Sequence, residues 1–351
     1  MRWLTTVMLV LAGWSPAAFA DTPAERQKAI DDLLAGRFRW TLGPPLAAAA
    51  NRPDDPCFSL KDPTVVRFQD RWHVFCTIRS QKRTHQIEQL SFTDWKDADQ
   101  APRRVLALSD GYFCAPQVFY FTPHKKWYQV YQIIDPQRKP RLQPVYSTST
   151  DLDDPKSWSK PALLYAESPG NVKEWIDFWV ICDETRAHLF FTSMDGKMWR
   201  AETKLANFPG GWNKPAIVLQ GDVFEASHTY RLKGLNKYLT LIEAMDGKDS
   251  ATVRRYYKAY LADTLDGEWK PLAATKEKPF ASPANVRQTG TVWTDSYSHG
   301  ELLRDGHDEK LEVDPANLRF LIQGVTDAAR QGKKYGEIPW KLGILEPVRE
   351  K

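Results

Sequence analysis

Thr64-Val65-Val66-Arg67-Phe68-Gln69-Asp70-Arg71-Trp72-His73-Val74-Phe75 reads as two apolar strands, β-branched and aromatic, joined by a polar turn. The closing strand returns as Lys126-Trp127-Tyr128-Gln129-Val130-Tyr131, Arg186-Ala187-His188-Leu189-Phe190-Phe191 and Lys237-Tyr238-Leu239-Thr240-Leu241-Ile242. Each such unit opens on a short strand, and the openings fall at Asp62, Pro116, Asp177, Glu225 and His299. Their spacings are 54, 61, 48 and 74 residues, enough for four short strands per unit. The pattern predicts an all-β chain, a five-bladed β-propeller of four-stranded sheets. A β-sandwich is the architectural alternative. Residues 150–158 and 261–269 collect Asp, Pro, Ser and Gly before a Trp and read as turns. They lack the ligand spacing of a calcium-binding loop.

Composition agrees with a large packed core. Of 351 residues, 42% are hydrophobic and 12% aromatic, which excludes a disordered chain. Lys and Arg number 48 against 44 acids, a scattered surplus of +4 that argues against nucleic acid as a partner. A mean hydropathy of −0.51 excludes a multispanning membrane protein. Residues 1–20 read as a secretory signal, with Arg2, an apolar stretch over 4–13 and the small-residue site Ala18-Phe19-Ala20. The expectation is a soluble secreted protein, extracellular or periplasmic, in which 21–37 form a helical lead-in and 38–351 the propeller. Four cysteines allow three full pairings. Cys57 and Cys76 flank the first strand region and are candidates for a bridge, whereas Cys114 and Cys182 sit in apolar strands as buried thiols.

Several chemistries are absent. There is no G-x-S-x-G elbow, H-E-x-x-H, phosphate-binding loop or G-x-G-x-x-G. What remains is three acids at unit openings: Asp62 before an apolar strand, Asp177 inside an aromatic one, and Glu225 among apolar neighbours. In a propeller the innermost strands line the central channel, so these acids converge on one axial pocket. Paired carboxylates in a pocket are the machinery of glycoside hydrolysis. Taken singly, each acid also reads as a strand cap or an edge charge. Three at equivalent positions favour a site, because unpaired buried acids are costly. Most Trp and Tyr are assigned to blade packing, and a few at the mouth to stacking on sugar rings.

Longer motifs carry a resemblance. Gly111-Tyr112-Phe113-Cys114-Ala115-Pro116-Gln117-Val118-Phe119-Tyr120-Phe121, Trp175-Ile176-Asp177-Phe178-Trp179-Val180-Ile181-Cys182-Asp183, Phe224-Glu225-Ala226-Ser227, Asn236-Lys237-Tyr238-Leu239 and Ser298-His299-Gly300-Glu301-Leu302-Leu303-Arg304 resemble glycoside hydrolase family 62. The likeness runs from Phe38-Arg39-Trp40-Thr41 to Leu342-Gly343-Ile344-Leu345. It implies a secreted α-L-arabinofuranosidase that removes arabinofuranosyl branches from arabinoxylan with inversion. By the same resemblance Asp62 is the general base, kept ionised by Lys61. Glu225 is the general acid, which must hold its proton, and Asp177 is the neighbour that raises and orients it. The two working carboxyls should lie about 6.5–9.5 Å apart. Lys61 and Tyr335 would contact the sugar. His299 would contact a structural calcium ion on the axis, with water supplying most ligands. Read alone, His299 is a buried histidine bonded to backbone, and Tyr335 a strand-end aromatic.

The expected partner is arabinoxylan or its oligosaccharides, with no nucleic acid, no membrane and a monomeric chain. Two departures from the family pattern stand out. The basic, Pro-rich stretch 133–144 is expected as a loop at the channel mouth, where it bears on the acceptor chain. Asp314-Pro315-Ala316-Asn317 has Ala where many relatives have Cys. Rival readings are a propeller glycosidase acting on arabinan or xylosides, and a non-catalytic carbohydrate-binding propeller. A lectin has no need of the three acids.

Overall fold

Five twisted antiparallel sheets form a ring, and the innermost strand of each carries one of the unit openings. This computed structural model describes residues 22–247 and 253–348. The expected leader over 1–20 lies outside the described residues. Blade 1 comprises Cys57–Phe68, Arg71–Ser80, His85–Phe92 and Arg103–Val105. Blade 2 comprises Phe113–Phe121, Lys126–Ile134, Leu142–Ser149 and Ala162–Leu163. Blade 3 comprises Ile176–Cys182, Arg186–Thr192, Lys197–Lys204 and Ala216–Gln220. Blade 4 comprises Glu225–Leu232, Lys237–Met245, Arg255–Ala262 and Lys270–Ala273, with Glu312–Val313 added in parallel beside the inner strand. The architecture is the expected five-bladed propeller rather than a sandwich.

Blade 5 closes the ring. Its strands Ser296–Leu302, Phe320–Val325 and Lys341–Pro347 are completed by Trp40–Leu42 from the other end of the chain and by Val286–Gln288. Pairing the two ends removes a free sheet edge and ties the first blade to the last. Large side chains fill the spaces between blades: Trp40, Trp127, Trp175, Trp179 and Trp340 are fully buried. Pro23–Leu34 is a helix started by a capping box, in which Thr22 Oγ1 accepts from Glu25 N and Glu25 accepts from Thr22 N. Leu33 enters the main core, and Arg26 pairs with Asp314 at 3.0 Å, beside the buried Ala316.

The suggested Cys57–Cys76 bridge is corrected: all four cysteines are free. Cys57 lies opposite Ser80, four positions beyond Cys76 on the neighbouring strand, and accepts instead from Arg52. Cys76 is buried in blade 1.

Two features of the inner strands place the site. Each carries an extra residue relative to its partner strand, a β-bulge, toward its N-terminal end, and that of blade 1 has a second between Cys57 and Ser59. In four blades the bulged residue is left-handed: Asp62 (φ 49°), Ala115 (φ 52°), Asp177 (φ 57°) and Ala226 (φ 56°). Such a conformation costs a non-glycine residue about 1–2 kcal/mol, so the surrounding packing imposes it. Two residues further on, a ring of side chains locks each blade to the next. Val118 N donates to Thr64, Gln117 brackets Val180, Trp179 donates to Thr229 O, His228 to Gly300 O, and Glu301 accepts from Val65 N.

The opposite ends of the inner strands are tied together by one segment. The segment 303–319 crosses beneath the inner strands and accepts backbone hydrogen bonds from Tyr120, Cys182 and Arg231 in three successive blades. The buried Arg304 there pairs with Glu301 and donates to the carbonyls of Val65 and Val118.

Candidate active site

The N-terminal ends of the five inner strands surround one mouth, and the bulges turn their polar side chains into it. Asp62, Asp177, Glu225 and His299 are all buried there. His299 Nδ1 lies 3.7 Å from Asp62 Oδ1 and 3.8 Å from Asp177 Oδ2. Asp177, Glu225 and His299 each present a donor atom within 4.8 Å of the others. Lys61 Nζ is 3.9 Å from Asp62 Oδ2 and 4.8 Å above the Tyr335 ring. The structure therefore brings together all six residues singled out from the sequence.

Their environments set their charges. Burial works against ionisation of Asp62, but the Lys61 charge and the Thr77 hydroxyl oppose it, and the carboxyl is held below its usual value. Asp177 goes the other way: burial, then the charges of Glu225, Asp62 and Glu243, push it far above the normal carboxylate range. Burial lowers His299 against the pull of Asp62 and Glu225, which keeps the imidazole neutral. The strongly raised acid is thus Asp177, the carboxyl expected only to tune Glu225.

Sequence reasoning missed two charged residues. Arg255 Nη1 lies 2.8 Å from Glu225 Oε1, 2.9 Å from Glu243 Oε1 and 2.9 Å from Ser298 Oγ. Its guanidinium also lies over the rings of Phe224, Tyr335 and Trp340. Glu243 is paired directly with Glu225 across the sheet, accepts from His299 N, and is pushed up to about 8, chiefly by burial. An acid inside the apolar run Leu241-Ile242-Glu243-Ala244 is the same signal that marked Asp177, so Glu243 was legible. Arg255 was not, because it enters the site from the third strand of its blade.

On the blade 2 side, Tyr112 packs against His85 at 5.1 Å between ring centroids, and Cys114 contacts the Tyr112 hydroxyl at 3.0 Å. His85 is held down to about 4 by burial and Lys61, so it is an uncharged part of this wall. The 133–144 stretch joins the second and third strands of blade 2 at the same end of the ring. Its tip is fixed by Asp135 N to Arg141 O and by Arg138 to the carbonyls of Tyr165 and Ala166.

Four carboxyls thus share the fixed charges of Lys61 and Arg255. A surplus of oxygen donors beside a neutral imidazole is chemistry a hard divalent cation accepts, so the expected calcium ion fits this residue set.

Comparison with known proteins agrees with the geometry. Residues 39–346 match the model of glycosyl hydrolase family 62. The chain is 39% identical over 321 residues to alpha-L-arabinofuranosidase C of Cellvibrio japonicus, covering 89% of this chain. It spans about half that protein's length, 47%. Among solved structures, the catalytic domain of a Coprinopsis cinerea GH62 alpha-L-arabinofuranosidase superposes with a TM-score of 0.82 at 38% identity, covering 90% of this chain and 98% of that one. The Podospora anserina alpha-L-arabinofuranosidase PaAbf62A, in complex with cellotriose, gives 0.81 at 37% with the same coverage. A GH62 hydrolase in complex with xylotriose gives 0.82 at 34%, covering 90% and 99%.

Proposed function

The chain belongs to glycosyl hydrolase family 62, and from that premise we propose that it is an inverting α-L-arabinofuranosidase that clears arabinofuranosyl branches from arabinoxylan. The observation that carries this reading is one buried axial cluster in which Asp62, held ionised beside Lys61, shares the mouth with Glu225, and the strongly raised Asp177 is crowded against Glu225. In the proposed reaction Asp62 takes a proton from water as that water attacks the anomeric carbon. Glu225 gives a proton to the departing xylosyl oxygen, and the glycosidic bond breaks with inversion. Asp62 ends protonated and Glu225 ionised, and proton exchange with solvent restores both. Arg255, 2.8 Å away, stabilises the Glu225 carboxylate that forms. Lys61 and Tyr335 grip the sugar. The 303–319 segment, bonded to three inner strands opposite the mouth, favours a site that takes a terminal branch rather than a chain threading through.

Calcium, where bound, would be held by His299 and water, with Asp177 and Glu225 within reach, and would supply positive charge that offsets the surplus carboxylates. Thermal unfolding tests this: calcium should raise the melting temperature of the wild type over EDTA by a few degrees and leave His299→Gln unchanged. Equal responses would remove the ion from the account. The expected leader supports export of the mature chain.

Incubation of the chain with wheat arabinoxylan tests the function. Free arabinose with an intact xylan backbone is expected, and Glu225→Gln should bind without releasing it. Xylose or arabinan fragments instead would move the substrate. Binding with no release by the wild type would leave a lectin.

A further inference from the structure

Each bulge at the mouth leaves one inner-strand amide without a partner in its own ladder. In every blade a side chain from the preceding blade takes that amide. Asp62 N donates to Gln323 Oε1 at 2.6 Å, and Ala115 N to Thr77 Oγ1 at 2.9 Å. Asp177 N donates to Gln132 Oε1 at 3.1 Å, and His299 N to Glu243 Oε2 at 2.7 Å. These four acceptors are equivalent residues: each lies on the second strand of its blade, opposite the residue that precedes the bulged one.

Blade 3 breaks the pattern. Its equivalent residue is Thr192, opposite Ile176, and the buried Thr192 Oγ1 has no hydrogen-bond partner among the described residues. The amide it would serve, Ala226 N, donates instead to Asp177 Oδ2 at 3.2 Å. Asp177 thus does what a second-strand side chain does elsewhere, and holds the backbone directly after Glu225.

We propose that Gln323 and Gln132 are positioning residues for the two halves of the reaction. Gln323 fixes the left-handed backbone of the base Asp62. Gln132 fixes Asp177, which through Ala226 fixes the acid Glu225. Thr192 marks the position whose task Asp177 has taken over. Neither glutamine is required to touch the sugar. The inference rests on the hydrolase reading above and adds two residues to it.

The test uses Gln323→Met, Gln132→Met and Thr192→Val, which conserve volume and remove only the polar group. Each is assayed on arabinoxylan and on 4-nitrophenyl α-L-arabinofuranoside, whose good leaving group needs little protonation. Gln323→Met should lower kcat about 10- to 100-fold on both substrates, with KM within about threefold, as expected for loss of a supporting hydrogen bond. Gln132→Met should lower kcat on arabinoxylan by a similar factor and on the activated glycoside by much less. Thr192→Val should match the wild type on both. A general loss of packing would not split the two substrates this way.

If both glutamine variants retain wild-type kcat, or if Gln132→Met loses it in the same ratio on both substrates, the proposal is overturned. Should one variant not fold, the other decides for its own half. A wild type inactive on both substrates overturns the hydrolase reading. An active wild type with unaffected variants overturns only this inference.

Discussion

At the floor of the axial channel, the buried Glu301 faces its own cation, Arg304, and accepts from Thr64 Oγ1 and Val65 N. At the mouth, a few residues up the same strands, Asp62, Asp177, Glu225 and Glu243 share Lys61 and Arg255. Both ends are deeply buried, so burial alone does not mark function. Stoichiometry of charge does. A one-to-one buried pair holds blades together, whereas a surplus of acids leaves carboxyls that must keep, give or take a proton.

The difference is sharpest in catalysis. Asp62→Asn or Glu225→Gln should lower kcat about 10³- to 10⁴-fold while the unfolding midpoint stays near that of the wild type. Steady-state kinetics beside thermal unfolding reads both. A variant that unfolds early without losing turnover per folded molecule would place structural acids at the mouth.

The converse applies at the floor. Arg304→Leu strands Glu301 without its cation and leaves the carbonyls of Val65 and Val118 without this donor. Denaturant unfolding should show a loss of about 3–5 kcal/mol, with kcat per folded enzyme unchanged. A large fall in kcat without loss of stability would erase the distinction between the two ends.

A smaller effect separates the ends by pH. Glu243 moves from 4.5 to about 8 on folding, so the native state keeps a proton that the unfolded chain releases between those values. Its contribution to stability is therefore greatest below 4.5 and is lost as pH rises toward about 8. Relative to Glu243→Gln, the wild type should lose stability across that window, by up to about 1.4 kcal/mol per pH unit. Parallel curves would show that Glu243 ionises freely.

The fold was legible because each hairpin writes its own alternation and turn into neighbouring residues. Closure was not: Trp40–Leu42 pairs with residues near the other end of the chain, and no local pattern records that. The site divides along the same line. Asp62, Asp177 and Glu225 stand out as acids at unit openings, and Glu243 carried the same signal on a second strand. Glu301 carried it too, within the quoted Ser298–Arg304 motif, and only its pairing with Arg304 in space shows that it is structural. The bulges, the left-handed residues and the amide caps depend on which blade precedes which, and so appear only in three dimensions. Lys61, Tyr335 and His299 came from family resemblance, and the structure gives them neighbours: a carboxylate, a cation over a ring, and two acids within 3.8 Å.

The central claim is that the mouth acids act as base and acid on opposite faces of one sugar. Proton NMR of the first-formed arabinose, followed from the earliest minutes of arabinoxylan digestion, tests it most directly. The account predicts β-L-arabinofuranose before mutarotation. The α-anomer appearing first would mean retention through a covalent intermediate, and would contradict the assignment of Asp62 to water.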